Sequence, residues 1–176
     1  RLSGATNGVS TLHGRVSRRM WSGLWPDVPV DDLPITSITN GVHASTWTSP
    51  PFQHLYDNHF PEWREDPLYL RYAVGCSIEF IREAHIEAKQ ALLAEVERRT
   101  GIRLAPNTMT IGFARRAAAY KRADLLFSDQ KRLRKIASQV GPLQIIYAGK
   151  AHPRDEGGKA LIRRIFEAAA ALHDTV

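Results

Sequence analysis

The chain has 176 residues, 43% hydrophobic and 24% charged, a balance that suits one ordinary globular domain or parts of two. No apolar stretch approaches the roughly 20 residues that cross a bilayer, and a lone cysteine, Cys76, excludes an internal disulfide and fits a cytoplasmic setting. The net charge of +6 is uneven: residues 1–104 hold 11 Lys and Arg against 12 Asp and Glu, whereas residues 105–176 hold 13 against 6. Such asymmetry fits an anionic partner for the C-terminal part, whether phosphate, sugar phosphate or nucleic acid, or else a solvated basic face.

The chain opens on Arg1 rather than Met, shows no signal peptide, and is expected to be cut from a longer polypeptide. The stretch up to His13 is rich in Gly, Ser, Thr and Asn; it is expected to be a loop, with Asn7-Gly8 as a turn. Small residues there could bring backbone close to a ligand, or form an ordinary connection. A helical pattern follows, with Val16 and Met20 among Arg15, Arg18 and Arg19. Ile35–Ile38 is a short strand candidate ending in Thr39-Asn40-Gly41. Asn-Gly there is either a hairpin turn or a polar side chain at a strand's carboxyl end. Ser49–Trp63, with Pro50, Pro51, Pro61 and several aromatics, is expected to be an extended surface loop. His54, Asp57 and His59 within it lack a metal-ligand spacing.

Asp66-Pro67 predicts a helix cap followed by Pro at the first helical position. A helix is predicted from Ser77 to about Thr100. Its inward stripe would be Ile78, Ile81, His85, Ala88, Leu92 and Val96, with Gly101 as the stop. His85 is then a core or interface histidine. Leu104–Asn107 marks the expected domain boundary. Beyond it, the β-prone run Met109–Phe113 empties into Arg115, Arg116, Lys121 and Arg122, and a helix carrying Leu125, Leu126, Leu133, Ile136 and Val140 inward follows. Leu143–Ala148 is a second short strand, delivering Gly149, Lys150 and His152 at its end, before a last helix over about Gly158–His173. A right-handed βαβ unit places both basic loops on one sheet edge, the usual ligand edge of open α/β folds. Two strands alone do not make a stable doubly wound sheet, so more chain is expected to follow.

No G-x-x-x-x-G-K-[ST], G-x-G-x-x-G, G-x-S-x-G or metal spacing is present. What remains is a constellation: Arg115, Arg116, Lys121 and Lys150 around one anion, with Asn40 and the His13 segment to hydrogen-bond a neutral polyol.

Four segments carry a resemblance: NGVSTLHG (Asn7–Gly14), ITNGVHASTW (Ile38–Trp47), ARRAAAYKRADLLF (Ala114–Phe127) and YAGKAHPRD (Tyr147–Asp155). In this order and spacing they resemble the α-glucan phosphorylases, the glycogen, starch and maltodextrin phosphorylase family. The resemblance implies a GT-B type α/β fold with two Rossmann-like domains, of which this chain would be an incomplete central piece. Residues 1–104 would end the N-terminal glucan-binding domain, and residues 105–176 would begin the cofactor and phosphate domain. It implies retaining phosphorolysis of α-1,4-glucan or maltodextrin by orthophosphate to glucose 1-phosphate, dependent on pyridoxal 5'-phosphate, in a cytoplasmic protein that could be a homo-oligomer. His13 and Asn40 would contact the transferred glucosyl unit. Arg116 would hold substrate phosphate; Arg115, Lys121 and Lys150 would lie near the cofactor phosphate. His13, Arg116 and Lys121 would be catalytic.

Arg115 in place of lysine, and AAA in place of Ile-His-Glu, resemble the shorter bacterial-type branch. AGKAHPRD departs from the family's GGKAAPGY after the lysine. The lysine that forms the cofactor's Schiff base would lie outside this chain, which would then be inactive by itself. R-x-x-x-Y-K-R alone is shared with glycogen synthases, so a nucleotide-sugar glucosyltransferase is the alternative on the same fold. Nucleic-acid binding is a third reading, and the placement of Phe113, Tyr120 and Phe127 inside apolar patterns counts against it.

Overall fold

Short runs of β-prone residues separated by helix-forming ones give a mixed α/β chain with small parallel sheets. The structure is a computed structural model and describes residues 3–172. Arg1 and His173, the latter the expected end of the last helix, lie outside the described residues. The elements in order are β1 (Asn7–Gly8), α1 (Thr11–Trp21), β2 (Thr36–Ser37), α2 (Ala44–Trp47), α3 (Pro50–His59), α4 (Ile78–Thr100), β3 (Met109–Ala114), α5 (Gln130–Gln139), β4 (Leu143–Ala148) and α6 (Glu156–Leu172). Two compact units divide within α4, after His85.

In the first unit, β1 and β2 pair in parallel, Asn7 opposite Thr36 and Gly8 opposite Ser37. Asn7-Gly8 is therefore a strand and not a turn. Gly8 is required there because a Cβ would lie 2.5 Å from the Gly14 nitrogen on α1. Arg18 on α1 donates to the Ile35 carbonyl at 2.9 Å, tying the helix to the segment before β2. Leu33 and Ile35, at 5% and 2% exposure, are the buried anchors of that segment.

The expected loop over Ser49–Trp63 is instead helix α3 and a 3-10 turn, Pro61–Arg64. The prolines misled because Pro50, Pro51 and Pro61 occupy first-turn positions, where a missing N–H costs nothing. Trp63 is fully buried. Its indole N–H donates to Asp57 at 2.8 Å, and Arg64 forms a two-pronged pair with the same carboxylate. The Arg64 hydrogen bond, and next that of Trp63, hold the Asp57 carboxyl below its ordinary range. Asp57 and His59, the latter stacked on Phe80, thus have structural partners. Asp66 caps the following turn through Leu68 N–H, as predicted, but the turn over Pro67–Gly75 is 3-10.

Helix α4 runs as predicted, and Gly101 with φ +73° ends it. Its inward line differs: Ala84 and Leu93 are buried, whereas Ile78, His85 and Leu92 are exposed. Apolar residues lie on both sides of the predicted stripe, so hydrophobicity alone does not fix the helix rotation. His85 is not a core residue. In the second unit Lys89 donates to the Thr108 carbonyl at 2.6 Å, anchoring α4 to the start of β3.

Strands β3 and β4 pair in parallel over their whole length, from Met109 opposite Leu143 to Ala114 opposite Ala148. Gln144 reaches from β4 to the preceding loop, accepting from Ala105 N–H at 2.5 Å and donating to Ala105 O at 2.9 Å. The strand after Asn107 does not pass directly into a helix. Two 3-10 turns, Ala119–Lys121 and Leu125–Phe127, intervene before α5 begins under the Asp129 cap. Leu133 is buried as expected, with Ala137 beside it, while Leu125, Ile136 and Val140 are exposed. The last helix begins two residues earlier than predicted, because Asp155 caps it and draws Gly157-Gly158 into its first turn.

Replacing Trp63 with alanine is expected to lower stability by about 3–5 kcal/mol, the usual cost of emptying a buried aromatic site. A urea titration checks this through the transition midpoint. On α4 the hydrogen bonds of Arg98 and then Arg99 hold the Glu95 carboxyl down to about 2, from 4.5. Because the folded value is the lower one, this pairing stabilises fully above pH 4.5 and fades as pH falls toward 2. Melting of Glu95→Gln against the parent chain is expected to show a gap at pH 6 that closes by pH 2.

Candidate functional site

The second unit builds its candidate site at the carboxyl ends of β3 and β4. Ala117, Ala123 and Leu161 form a buried cluster, with Phe113, Tyr147, Ala151, Ile162 and Ile165 packed against it. The alanines face inward, which leaves their neighbours Arg115, Arg116 and Arg122 exposed. Parallel pairing continues beyond the strands: Arg115 N–H donates to Ala148 O and Ala117 N–H to Lys150 O, each at 3.1 Å. The two basic loops therefore run side by side, as the βαβ argument requires. Arg115, Arg116, Lys121 and Lys150 have no carboxylate partner among the described residues. Lys121 lies over the Tyr120 ring at 4.7 Å.

The cations do not all line one cavity. Arg115 lines an apolar groove of about 440 Å³ with Gly149, Phe113 and Tyr147. Lys121 lines a separate cleft of about 630 Å³ together with Arg122 and Arg132. Beneath both, Phe113, Tyr147 and Phe127 stack, with ring centroids 5.3 and 5.6 Å apart. The Tyr147 hydroxyl donates to Ala123 O at 2.7 Å, which fixes the end of the basic segment to β4. Burial, and next the Asp124 carboxylate, push that hydroxyl's pKa up, so it stays a donor.

The first unit brings His13 and Asn40 together through a residue that the sequence does not single out. Val9 N–H donates to His13 Nδ1 at 3.0 Å, and Asn40 N–H donates to Val9 O at 3.1 Å. His13 is in the first turn of α1 and not in a loop; Ser10 caps that turn by accepting from His13 N–H at 3.1 Å. Because Nδ1 accepts, the neutral ring carries its proton on Nε2, which is left as a donor. Val9 acts through backbone atoms, so no side-chain pattern could have revealed it.

Among the described residues there is no group of three or more His, Cys, Asp or Glu placed to hold a metal, and no helix long and apolar enough to cross a membrane. These features define an α/β chain with a basic sheet edge and a separate polar segment around His13 and Asn40.

No family model matches the chain. Curated relatives align with nearly all of it: a maltodextrin phosphorylase of Thermococcus litoralis at 40% identity over 95% of the chain, a glycogen phosphorylase of Mycobacterium tuberculosis at 37% over 94%, and a glycogen phosphorylase of Aquifex aeolicus at 36% over 96%. The chain spans 22%, 21% and 27% of the lengths of these relatives. It is homologous to a segment of the maltodextrin and glycogen phosphorylases, in agreement with the resemblance carried by its motifs.

The His13 geometry makes a direct prediction. For the neutral ring, long-range proton–nitrogen correlation is expected to report Nε2 protonated and Nδ1 bare. A ring protonated on Nδ1 would contradict the Val9 contact.

Proposed function

We propose that this chain is a central segment of an α-glucan phosphorylase of the shorter bacterial type. In this reading, residues 1–104 close the N-terminal glucan-binding domain of a GT-B fold and residues 105–176 open the Rossmann-like domain. The parent protein cleaves the terminal glucosyl unit of an α-1,4-glucan or maltodextrin with orthophosphate. It releases glucose 1-phosphate with retention of configuration. The observation that carries the reading is 36–40% identity to phosphorylases along almost the whole chain. Those names favour phosphorolysis over transfer from a nucleotide sugar.

The basic loops supply chemistry suited to that reaction. Arg116, exposed and without a carboxylate partner among the described residues, offers a planar fork for two oxygens of orthophosphate. Arg115, Lys121 and Lys150 supply further positive charge, which fits a cofactor bearing a phosphate group. Positive charge spread along this edge offsets the repulsion between two phosphates and stabilises negative charge that develops during transfer. Pyridoxal 5'-phosphate, when bound, supplies the second phosphate for proton transfer; its Schiff-base lysine is assigned outside residues 1–176. His13 presents Nε2–H, and Asn40 its side-chain amide, as hydrogen-bonding groups for sugar hydroxyls. The isolated 176-residue chain is inactive in this reading. The parent is cytoplasmic, and a homo-oligomer is compatible with it.

The test is to incubate the full-length parent with maltodextrin and orthophosphate and assay glucose 1-phosphate. Product that requires both orthophosphate and bound pyridoxal 5'-phosphate supports the reading, and a cofactor-replete enzyme that makes none contradicts it. Arg116→Ala is expected to lower kcat/KM for orthophosphate by roughly 10²-fold, the scale for removing one electrostatic donor. KM for maltodextrin should stay within about threefold, and equal loss of both would refute the assigned role.

A further inference from the structure

Arg116 stands on an exposed loop, yet the residues on both sides of it are tied down through their backbone. Arg115 N–H donates to Ala148 O, and Ala117 N–H donates to Lys150 O. The Arg115 and Ala117 carbonyls are held by close approach. Gly149, at φ +152°, abuts the Arg115 carbonyl so tightly that a Cβ would overlap its oxygen. Gly158, in the first turn of α6, abuts the Ala117 carbonyl two residues further on: a Cβ there would lie 2.5 Å from Ala117 O and 2.9 Å from Asp155 Oδ2. The Asp155 carboxylate cannot retreat freely, because it accepts from Gly158 N–H at 2.8 Å as the helix cap. Four consecutive peptide groups, from Ala114–Arg115 to Ala117–Ala118, are thus restrained around a guanidinium that has no carboxylate partner among the described residues.

We propose that Gly149 and Gly158 are positioning residues for Arg116. They let the β4 loop and the start of α6 close on the two carbonyls flanking it and fix where its guanidinium meets an oxyanion. This rests on the phosphorylase reading for the identity of that oxyanion as orthophosphate. Loops are ordinarily the mobile parts of a fold, and an arginine on a mobile loop must be ordered each time it binds. Here the ordering is built into the backbone. Neither glycine is explained by its element alone. Alanine is the better former of helical turns, yet Gly158 is helical. Gly149 has left-handed backbone just where Lys150 O must turn toward Ala117 N–H.

The experiment uses the full-length holoenzyme and reads orthophosphate binding by phosphorus NMR line broadening, with maltodextrin affinity measured in parallel. Gly149→Ala and Gly158→Ala are each expected to weaken orthophosphate at least tenfold and to leave maltodextrin affinity within about twofold. Gly112→Ala, on β3 with open space around its Cβ, is expected to change neither. A merely structural role would lower the active fraction and leave both affinities of the remaining protein unaltered. Wild-type orthophosphate affinity in a folded Gly158→Ala protein overturns the inference, as does equal loss of maltodextrin. Gly158→Ala decides the matter if Gly149→Ala does not fold, because its backbone carries no positive φ. A wild-type protein that binds orthophosphate but forms no glucose 1-phosphate defeats the functional reading alone, and the same binding series still decides the positioning role.

Discussion

Two hydrogen bonds beyond the strand ends carry the design of the C-terminal unit: Arg115 N–H to Ala148 O and Ala117 N–H to Lys150 O. A parallel pair normally stops where its strands stop, and the following loops separate. Here the ladder continues while the side chains change from apolar to cationic. The inward alanines and Leu161 keep the segment packed, and the arginines project from a backbone that is still sheet-like. Concentrating like charge is unfavourable by itself, and it persists because the covalent frame and the packed alanines hold it in place.

The N-terminal unit solves a related problem with neutral groups. Its strands are two residues long, too short to organise much by themselves. Order comes instead from Val9, which gives its N–H to His13 and its carbonyl to Asn40 N–H. One peptide-bonded residue sets both the ring tautomer and the course of the chain after β2. The two units thus prepare different chemistry, charge in one and directed neutral hydrogen bonds in the other.

Much of the second unit was legible in the sequence. The two apolar runs became β3 and β4 in the expected parallel pairing, since a short β-branched and aromatic stretch bounded by Pro, Gly and charge has few alternatives. The side-by-side course of the two basic loops followed from topology alone. Misreadings arose where one residue type serves two conformations. Pro50 and Pro51 start a helix as readily as they interrupt one, and Asn7-Gly8 is a strand because Gly8 must meet α1 closely. The rotation of α4 was hidden by apolar residues on more than one face. The roles of Val9, Gly149 and Gly158 lie in backbone contacts, which leave no pattern in side-chain chemistry. The assignment of substrates to particular residues came from resemblance and not from periodicity.

Every rung of the β3–β4 ladder joins residues 34 apart in sequence, from Met109 with Leu143 to Ala114 with Ala148. No local turn can nucleate such a pair, so α5 and both 3-10 turns must be brought into place while the closure entropy is still uncompensated. The basic edge consequently depends on this long-range register and is absent from any state that holds only local helices. An oxyanion that recognises this edge binds the completed register and not its precursors. Such a ligand deepens the native well by mass action without speeding the approach to it.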